Sequence, residues 1–267
     1  MKSARSIIPS SPDEAFVHGF DLRDIDADNP YSIWRLKYLE RIGAILRLVR
    51  THVQRGGCTL EIGAAQGNIS LLLAEAGYEA TAVELKEDFL TYSRKKHERG
   101  AIQWLCGNAF DLLLDTRFDA VILAEIVEHV AHPSDLIARA LSLVEPGGVL
   151  VITTPNQHFV REHAPSYTAA CKDVARMEAD QFGPAGENHL FTLTMDELRS
   201  MVPPTGAVIE EFFVDGILYN HHMQGLWNNG ATRSMLVPLA YRLRTRSPIR
   251  QFTNAGLVMA VRRTILA

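Results

Sequence analysis

Between Cys58 and Asn156 the chain alternates short apolar runs with segments whose apolar residues recur every three or four positions. The runs CTLEIG, EATAVEL, IQWLCGN, RFDAVILAE and PGGVLVITTPN predict five strands. NISLLLAEAG, EDFLTYSRKKHERG and SDLIARALSLV predict the intervening helices, the first two closed by glycine. Upstream, Ile33, Leu36, Leu39, Ile42, Leu46 and Val49 mark an amphipathic helix from Tyr31 to about Val53, ending at Gly56-Gly57. Strands alternating with helices of this length pair in parallel through right-handed crossovers, and a run such as VILA suits a strand covered on both faces. After Asn156 the pattern loosens. A helix from Thr194 to Met201, an apolar strand over Val208 to Val214 and a last strand over 256 to 262 complete the set. The expected fold is α/β: a Rossmann-like, doubly wound, mostly parallel seven-stranded sheet with helical insertions in the C-terminal half.

Residues 1–30, with Pro9, Pro12, Pro30 and the acidic stretch DLRDIDADNP, read as an irregular arm or lid. The rest, 31–267, reads as one domain, with substrate-recognition insertions near 156–188 and 215–255. Composition adds little. Apolar residues make 47% and charged residues 22%, as in ordinary globular proteins, and a net charge of −4 argues against general nucleic-acid binding. No apolar stretch reaches membrane-spanning length and the first residues lack the apolar core of a secretory signal, so a cytoplasmic protein is expected. Cys58, Cys106 and Cys171 stand at unrelated spacings and read as reduced thiols.

The chemistry begins at LEIGAAQGN. Small residues at Gly63, Ala64, Ala65 and Gly67 let backbone approach a ligand, and the following helix start offers N–H groups to something polar or anionic. Such a turn alone is a weak signal. Glu84, ending the second strand about twenty residues later, can accept both hydroxyls of a ribose. Asn108, in CGNAFD after the third strand, can hydrogen-bond an adenine edge while Leu85 and Phe110 flank the ring.

Taken together, E-x-G-x-x-x-G on the first strand, a carboxylate ending the second, a polar residue after the third, FDAVILAEIVEHV and LVEPGGVLVITTPN resemble the class I S-adenosylmethionine-dependent methyltransferases. The resemblance covers roughly residues 31 to 155, with a looser match beyond. It implies S-adenosyl-L-methionine as cofactor, with Glu61, Gly63 and Gly67 around its methionine part, Glu84 on the ribose, and Asn108 and Ala109 near the adenine. Ala65 stands where the family often has glycine, and Asn108 where aspartate is usual. Arg35 is a candidate for the cofactor carboxylate, and Glu125 is counted with the cofactor residues.

The run AEIVEHVAH, 124–132, then crowds carboxylates and imidazoles at the end of the fourth strand. A helical turn from Glu125 would put Glu125, Glu128 and His129 on one face, where two carboxylates repel unless a proton, a cationic side chain or a metal lies between them. With His189 as fourth ligand the set suits Mg²⁺ or Mn²⁺ before Zn²⁺. Without metal, His129 is the expected base, with Glu128 beside it as the second catalytic candidate. E-x-x-E-H with a later histidine before a phenylalanine and a helix resembles two groups. One is the O-methyltransferases of ubiquinone biosynthesis, to which NPYSIWRL and ILYN are also similar. The other is the small-RNA 3′-terminal 2′-O-methyltransferases, whose metal site uses two Glu and two His.

The expected function is therefore S-adenosylmethionine-dependent O-methylation of a small molecule with vicinal oxygens, such as a catechol, polyketide or sugar, with a divalent metal as candidate assistant. The alternatives are RNA 3′-terminal 2′-O-methylation, metal-free N- or C-methylation with His129 as base, and a non-catalytic cofactor-binding module. The segment LVPLAYRLRTRSPIR, with four arginines among apolar residues, reads as a solvated helix face or a contact for an anionic substrate, RNA or a membrane surface through 236–250.

Overall fold

The computed structural model describes residues 1–112, 114, 116–181 and 189–265. Two helices, α1 (Pro12–Asp24) and α2 (Ile33–His52), precede β1 (Cys58–Ile62). Then follow α3 (Asn68–Glu75), β2 (Glu79–Glu84), α4 (Glu87–Lys96), β3 (Ala101–Cys106), β4 (Phe118–Ala124), α5 (Pro133–Leu143) and β5 (Val144–Pro155). Three short helices, α6 (Tyr167–Ala170), α7 (Val174–Asp180) and α8 (Met195–Ser200), lead to β6 (Gly206–Gly216). Another three, α9 (Gln224–Asn228), α10 (Gly230–Thr245) and α11 (Arg250–Thr253), precede β7 (Asn254–Arg263).

The seven strands form one sheet in the order β3-β2-β1-β4-β5-β7-β6. All pairs are parallel except those of β7, which runs antiparallel to both β5 and β6. The order reverses at β1, between β2 and β4, and open α/β sheets bind ligands at the carboxyl ends beside such a switch point.

The apolar run of β4 is explained by burial on both faces. Val121 and Leu123 join one core with Leu136, Ile137 and Leu141 of α5. Ala120 and Ile122 join the other with Ile42, Ile45 and Val49 of α2 and Leu73 of α3. Each large aliphatic side chain so buried contributes roughly 1.5–3 kcal/mol, which pins the strand ends that carry the site.

Two expectations are corrected. Residues 12–24 of the expected irregular arm or lid are helical: Ser11 Oγ accepts from Glu14 N (3.1 Å), Pro12 starts α1, and Val17 is buried. The proline read as a breaker stands at the first helical position, where proline costs nothing. Of the acidic residues in this region, Glu14 and Asp21 are buried with cationic partners. Glu14 meets Lys95 and Asp21 meets Lys96, each at 2.5 Å, fastening α1 to α4. Burial pulls the Lys96 ammonium down, opposed by Asp21. In α2 the inward face includes Ile45 and Leu48 rather than Leu39, which is exposed.

Candidate functional site

The turn after β1 runs through three left-handed residues, Gly63 (φ 76°), Ala65 (φ 43°) and Gly67 (φ 68°). A Cβ at Gly63 would overlap Ile126 Cδ1, and one at Gly67 would stand 2.8 Å from Ser93 Oγ, so both positions exclude larger residues by space as well as conformation. Ala65 holds its strained backbone because both of its peptide groups are bonded. Its N–H donates to Glu84 Oε2 (2.8 Å) and its carbonyl accepts from Ser93 Oγ (3.1 Å). Glu84 Oε1 accepts from the amides of Leu85 (2.8 Å) and Lys86 (3.1 Å), so one carboxylate braces the ends of β1 and β2. Glu61 is buried and accepts from Ser70 N (2.9 Å) and Ser70 Oγ (2.5 Å) at the start of α3. Burial pushes its carboxyl up to about 7 against those two bonds.

This turn opens into a cavity of about 820 Å³ lined by Glu61, Gly63, Ala65, Glu84, Leu85 and, from the loop after β3, Asn108, Ala109 and Phe110. Leu85 and Phe110 are exposed at the cavity mouth. Asn108 Oδ1 accepts from Phe110 N (3.1 Å), closing a local turn. Gly67 does not line the cavity; it starts α3 against α4.

The end of β4 departs from the expected helical turn. Glu125 adopts φ 54°, and only Val127–His129 form a single 3₁₀ turn. The left-handed step throws Glu125 toward α2, where Oε2 accepts from Arg41 Nη1 (3.0 Å). Glu125 is therefore separated from the predicted metal set. Glu128, His129 and His189 do converge, their nearest nitrogen and oxygen atoms all within 4.8 Å of one another. The Leu190 amide donates to the Glu128 carbonyl (2.9 Å), holding the segment before α8 against the 3₁₀ turn, and the two imidazole rings lie 5.1 Å apart. Glu128 is fully buried; Oε2 accepts from Thr154 Oγ1 (3.0 Å), while Oε1 has no hydrogen-bond partner among the described residues. Burial, and then the neighbouring Glu125 carboxylate, push the Glu128 carboxyl well above its ordinary value. His129 also lines the cavity.

Arg35 does not line the cavity; it bonds the carbonyls of Ile25 (2.9 Å) and Pro30 (3.0 Å), bracing the α1–α2 loop. The guanidinium at the cavity from α2 is Arg41, paired with Glu125 and with Asp215 of β6 (3.3 Å). Sequence reasoning missed Arg41, although Tyr38, Arg41, Ile42 and Ile45 share one helical face and all line the cavity. It also missed Phe16, Phe20 and Arg23 of α1, the cavity's outer wall. Asp215, another left-handed carboxylate (φ 59°), is pushed up to about 7 by burial despite Arg41.

The methyltransferase-domain family profile matches residues 60–152, the span from β1 through β5 that builds this cavity. A ubiquinone biosynthesis O-methyltransferase of Coxiella burnetii is 31% identical over 128 residues, 47% of this chain and 51% of that protein. One of Xanthomonas euvesicatoria pv. vesicatoria is 26% identical over 226 residues, 81% of this chain and 85% of that protein. Residues 60–152 carry a methyltransferase domain. The chain spans about half the length of the first curated relatives it matches. Its fold is similar to that of the N-methyltransferase NodS of Bradyrhizobium japonicum solved with S-adenosyl-L-homocysteine, at 15% identity and TM-score 0.54, covering 95% of this chain and 99% of that one. It is also similar to a methyltransferase solved with the Haloferax volcanii Trm112 activator, at 12% identity and TM-score 0.57, covering 95% of each chain.

Proposed function

We propose that this chain transfers the methyl group of S-adenosylmethionine to a hydroxyl of a small molecule carrying neighbouring oxygens. The observation that carries the reading is the convergence of Glu128, His129 and His189 beside the cofactor cavity, with the buried Glu128 Oε1 offering an acceptor that the described residues do not use. The donors fit a divalent cation. Glu128, His129 and His189 would hold it, and when bound it supplies a Lewis acid that lowers the pKa of a chelated hydroxyl. Two imidazoles and one carboxylate suit Mn²⁺ better than Mg²⁺, which favours oxygen alone. The chain's own part is to bind and orient. Glu84 and the glycine turn seat the cofactor, Asn108 addresses its base, and the end of β4 presents the acceptor oxygen to the sulfonium methyl in line. Acceptor recognition is assigned to the insertion near 156–188, of which Gln181 lines the cavity and 182–188 lie outside the described residues; no described residue of the other expected insertion, 215–255, lines it. Relatives named for ubiquinone biosynthesis support a ring with adjacent oxygens.

The raised Glu128 carboxyl favours a second reading, in which a protonated Glu128 needs no cation and His129 takes the hydroxyl proton. Titrating S-adenosyl-L-homocysteine calorimetrically into wild type and Glu128→Ala, after EDTA and after Mn²⁺ return, separates the two. A Mn²⁺ signal lost in Glu128→Ala, with cofactor binding retained, is the expected result, together with faster methylation of catechols than of monophenols. Cofactor binding with no metal response removes the chelation reading. Turnover of amines but of no hydroxyl compound removes the proposal.

A further inference from the structure

Charge is segregated along this chain in a way the overall balance of −4 conceals. After Asp215 there is no acidic residue and no lysine, but seven arginines. Four of these are engaged within the fold. Arg233 lies 3.6 Å over the Tyr31 ring, Arg244 pairs with Glu40, Arg262 meets His52 (3.2 Å), and Arg263 bonds the Ser142 carbonyl (2.7 Å). The other three, Arg242, Arg246 and Arg250, are exposed at the end of α10 and the start of α11.

The same segment carries the densest group of exposed large apolar side chains. In α10 only Leu236 and Ala240 are buried, and they fix the inward face. Outward, Met235 is 72% exposed, Val237 55%, Leu239 46% and Tyr241 53%; Ile249 and Phe252 follow at 52% and 40%. At 100° per residue, Met235, Leu239, Arg242 and Arg246 fall on one outward stripe, apolar in its first turns and basic in its last. Asn229 caps the helix, accepting from Ala231 N (2.9 Å), so the face is presented on a formed helix. Scattered apolar residues on a surface need no explanation, but a contiguous set rimmed by cations marks an interaction site.

We propose that this face docks the enzyme on an anionic lipid surface. The combination decides the partner. An apolar stripe inserts at the headgroup boundary, and arginines at its end reach anionic headgroups, each adding attraction that decays within a Debye length. RNA would recruit the arginines but gain nothing from Met235, Val237 and Leu239. A second copy of this segment would offer the arginines no acidic partner, since none follows Asp215. The surface is distinct from the cofactor cavity, since neither α10 nor α11 lines it.

The test is sedimentation of the full chain with phosphatidylcholine vesicles, with and without about one-third phosphatidylglycerol. Each arginine is expected to contribute about a fivefold change in partitioning. The triple variant Arg242→Gln/Arg246→Gln/Arg250→Gln should therefore lose roughly a hundredfold in binding to anionic vesicles, and wild type should lose at least ~tenfold in ~0.5 M salt by screening. Met235→Ser/Leu239→Ser should also lose binding at low salt. Unchanged S-adenosyl-L-homocysteine affinity in both variants shows that the fold is intact. Should either variant fail that control, the single changes Arg246→Gln and Met235→Ser replace it, with proportionally smaller losses expected. Equal binding to neutral and anionic vesicles, no vesicle binding, tighter binding to a single-stranded RNA oligomer, or dimerisation abolished by Met235→Ser/Leu239→Ser would each overturn the proposal.

Discussion

The two halves of the site are built on opposite terms. Around the ends of β1 and β2, carboxylates are satisfied by the chain itself: Glu84 takes three backbone amides and Glu61 takes both donors of Ser70. Around the ends of β4 and β6, three buried carboxylate oxygens lack a hydrogen-bond partner among the described residues: Glu125 Oε1, Glu128 Oε1 and Asp215 Oδ1. Two of the three residues sit on left-handed backbone, Glu125 and Asp215. A buried acceptor without a donor costs roughly 1–3 kcal/mol. The first half is thus a finished receptor, and the second stores polar capacity that a bound species can use. Among the described residues, unsatisfied buried carboxylates on left-handed backbone thus sit at the ends of β4 and β6 and not at the ends of β1 and β2.

The contrast is broken most severely at Arg41, the single guanidinium between Glu125 and Asp215. Arg41→Ala should destabilise the fold by about 3–5 kcal/mol, since it strands buried charge. Urea denaturation checks this, and adding Asp215→Asn should restore part of the loss; equal instability of single and double variants would show that the carboxylates do not depend on Arg41.

Glu61 sharpens the contrast through pH. Its folded carboxyl is raised from 4.5 to about 7, so between those values the folded chain holds a proton that the unfolded chain has released. Stability must therefore fall as pH rises from 4.5 to about 7 and level off above. Glu61→Gln should flatten that part of the melting-temperature profile by a few degrees, and a slope unchanged in the variant would place its origin elsewhere, Asp215 first. The smallest effect belongs to Asn108, whose local turn is worth about 1 kcal/mol. Asn108→Ala should weaken S-adenosyl-L-homocysteine binding about fivefold by calorimetry, and Asn108→Asp, which keeps the accepting oxygen, should weaken it less. Equal losses would mean that the amide rather than the turn is what binds.

Legibility in the sequence followed the range of the interactions. The order and type of the seven strands were readable because β4 and its neighbours announce two-sided burial by composition alone. Glu61, Gly63, Ala65, Glu84, Leu85, Asn108, Ala109 and Phe110 were readable as cavity residues because each lies within a few positions of a strand end, where the chain direction fixes the placement. Arg35 was misplaced because a helix offers several faces and only packing chooses one. His189 was reachable by motif, but its distance from His129 depends on a hydrogen bond from Leu190 to Glu128 across sixty-odd residues. α1 was misread because Asp21 and Lys96 look solvated until each is seen as the other's partner.

The sequence by itself determined a parallel α/β sheet, a glycine turn after its first strand and a carboxylate-rich end to its fourth, because these follow from local periodicity and from residues that only certain backbone shapes accept. Only the tertiary structure decided that Glu125 turns to Arg41 while Glu128 turns to the histidines, that α1 walls the cavity, and that α10 shows its apolar stripe to solvent. Those outcomes rest on which charges and surfaces meet at long range, where stranding one partner of a buried pair costs several kcal/mol and no sequence spacing records the pairing.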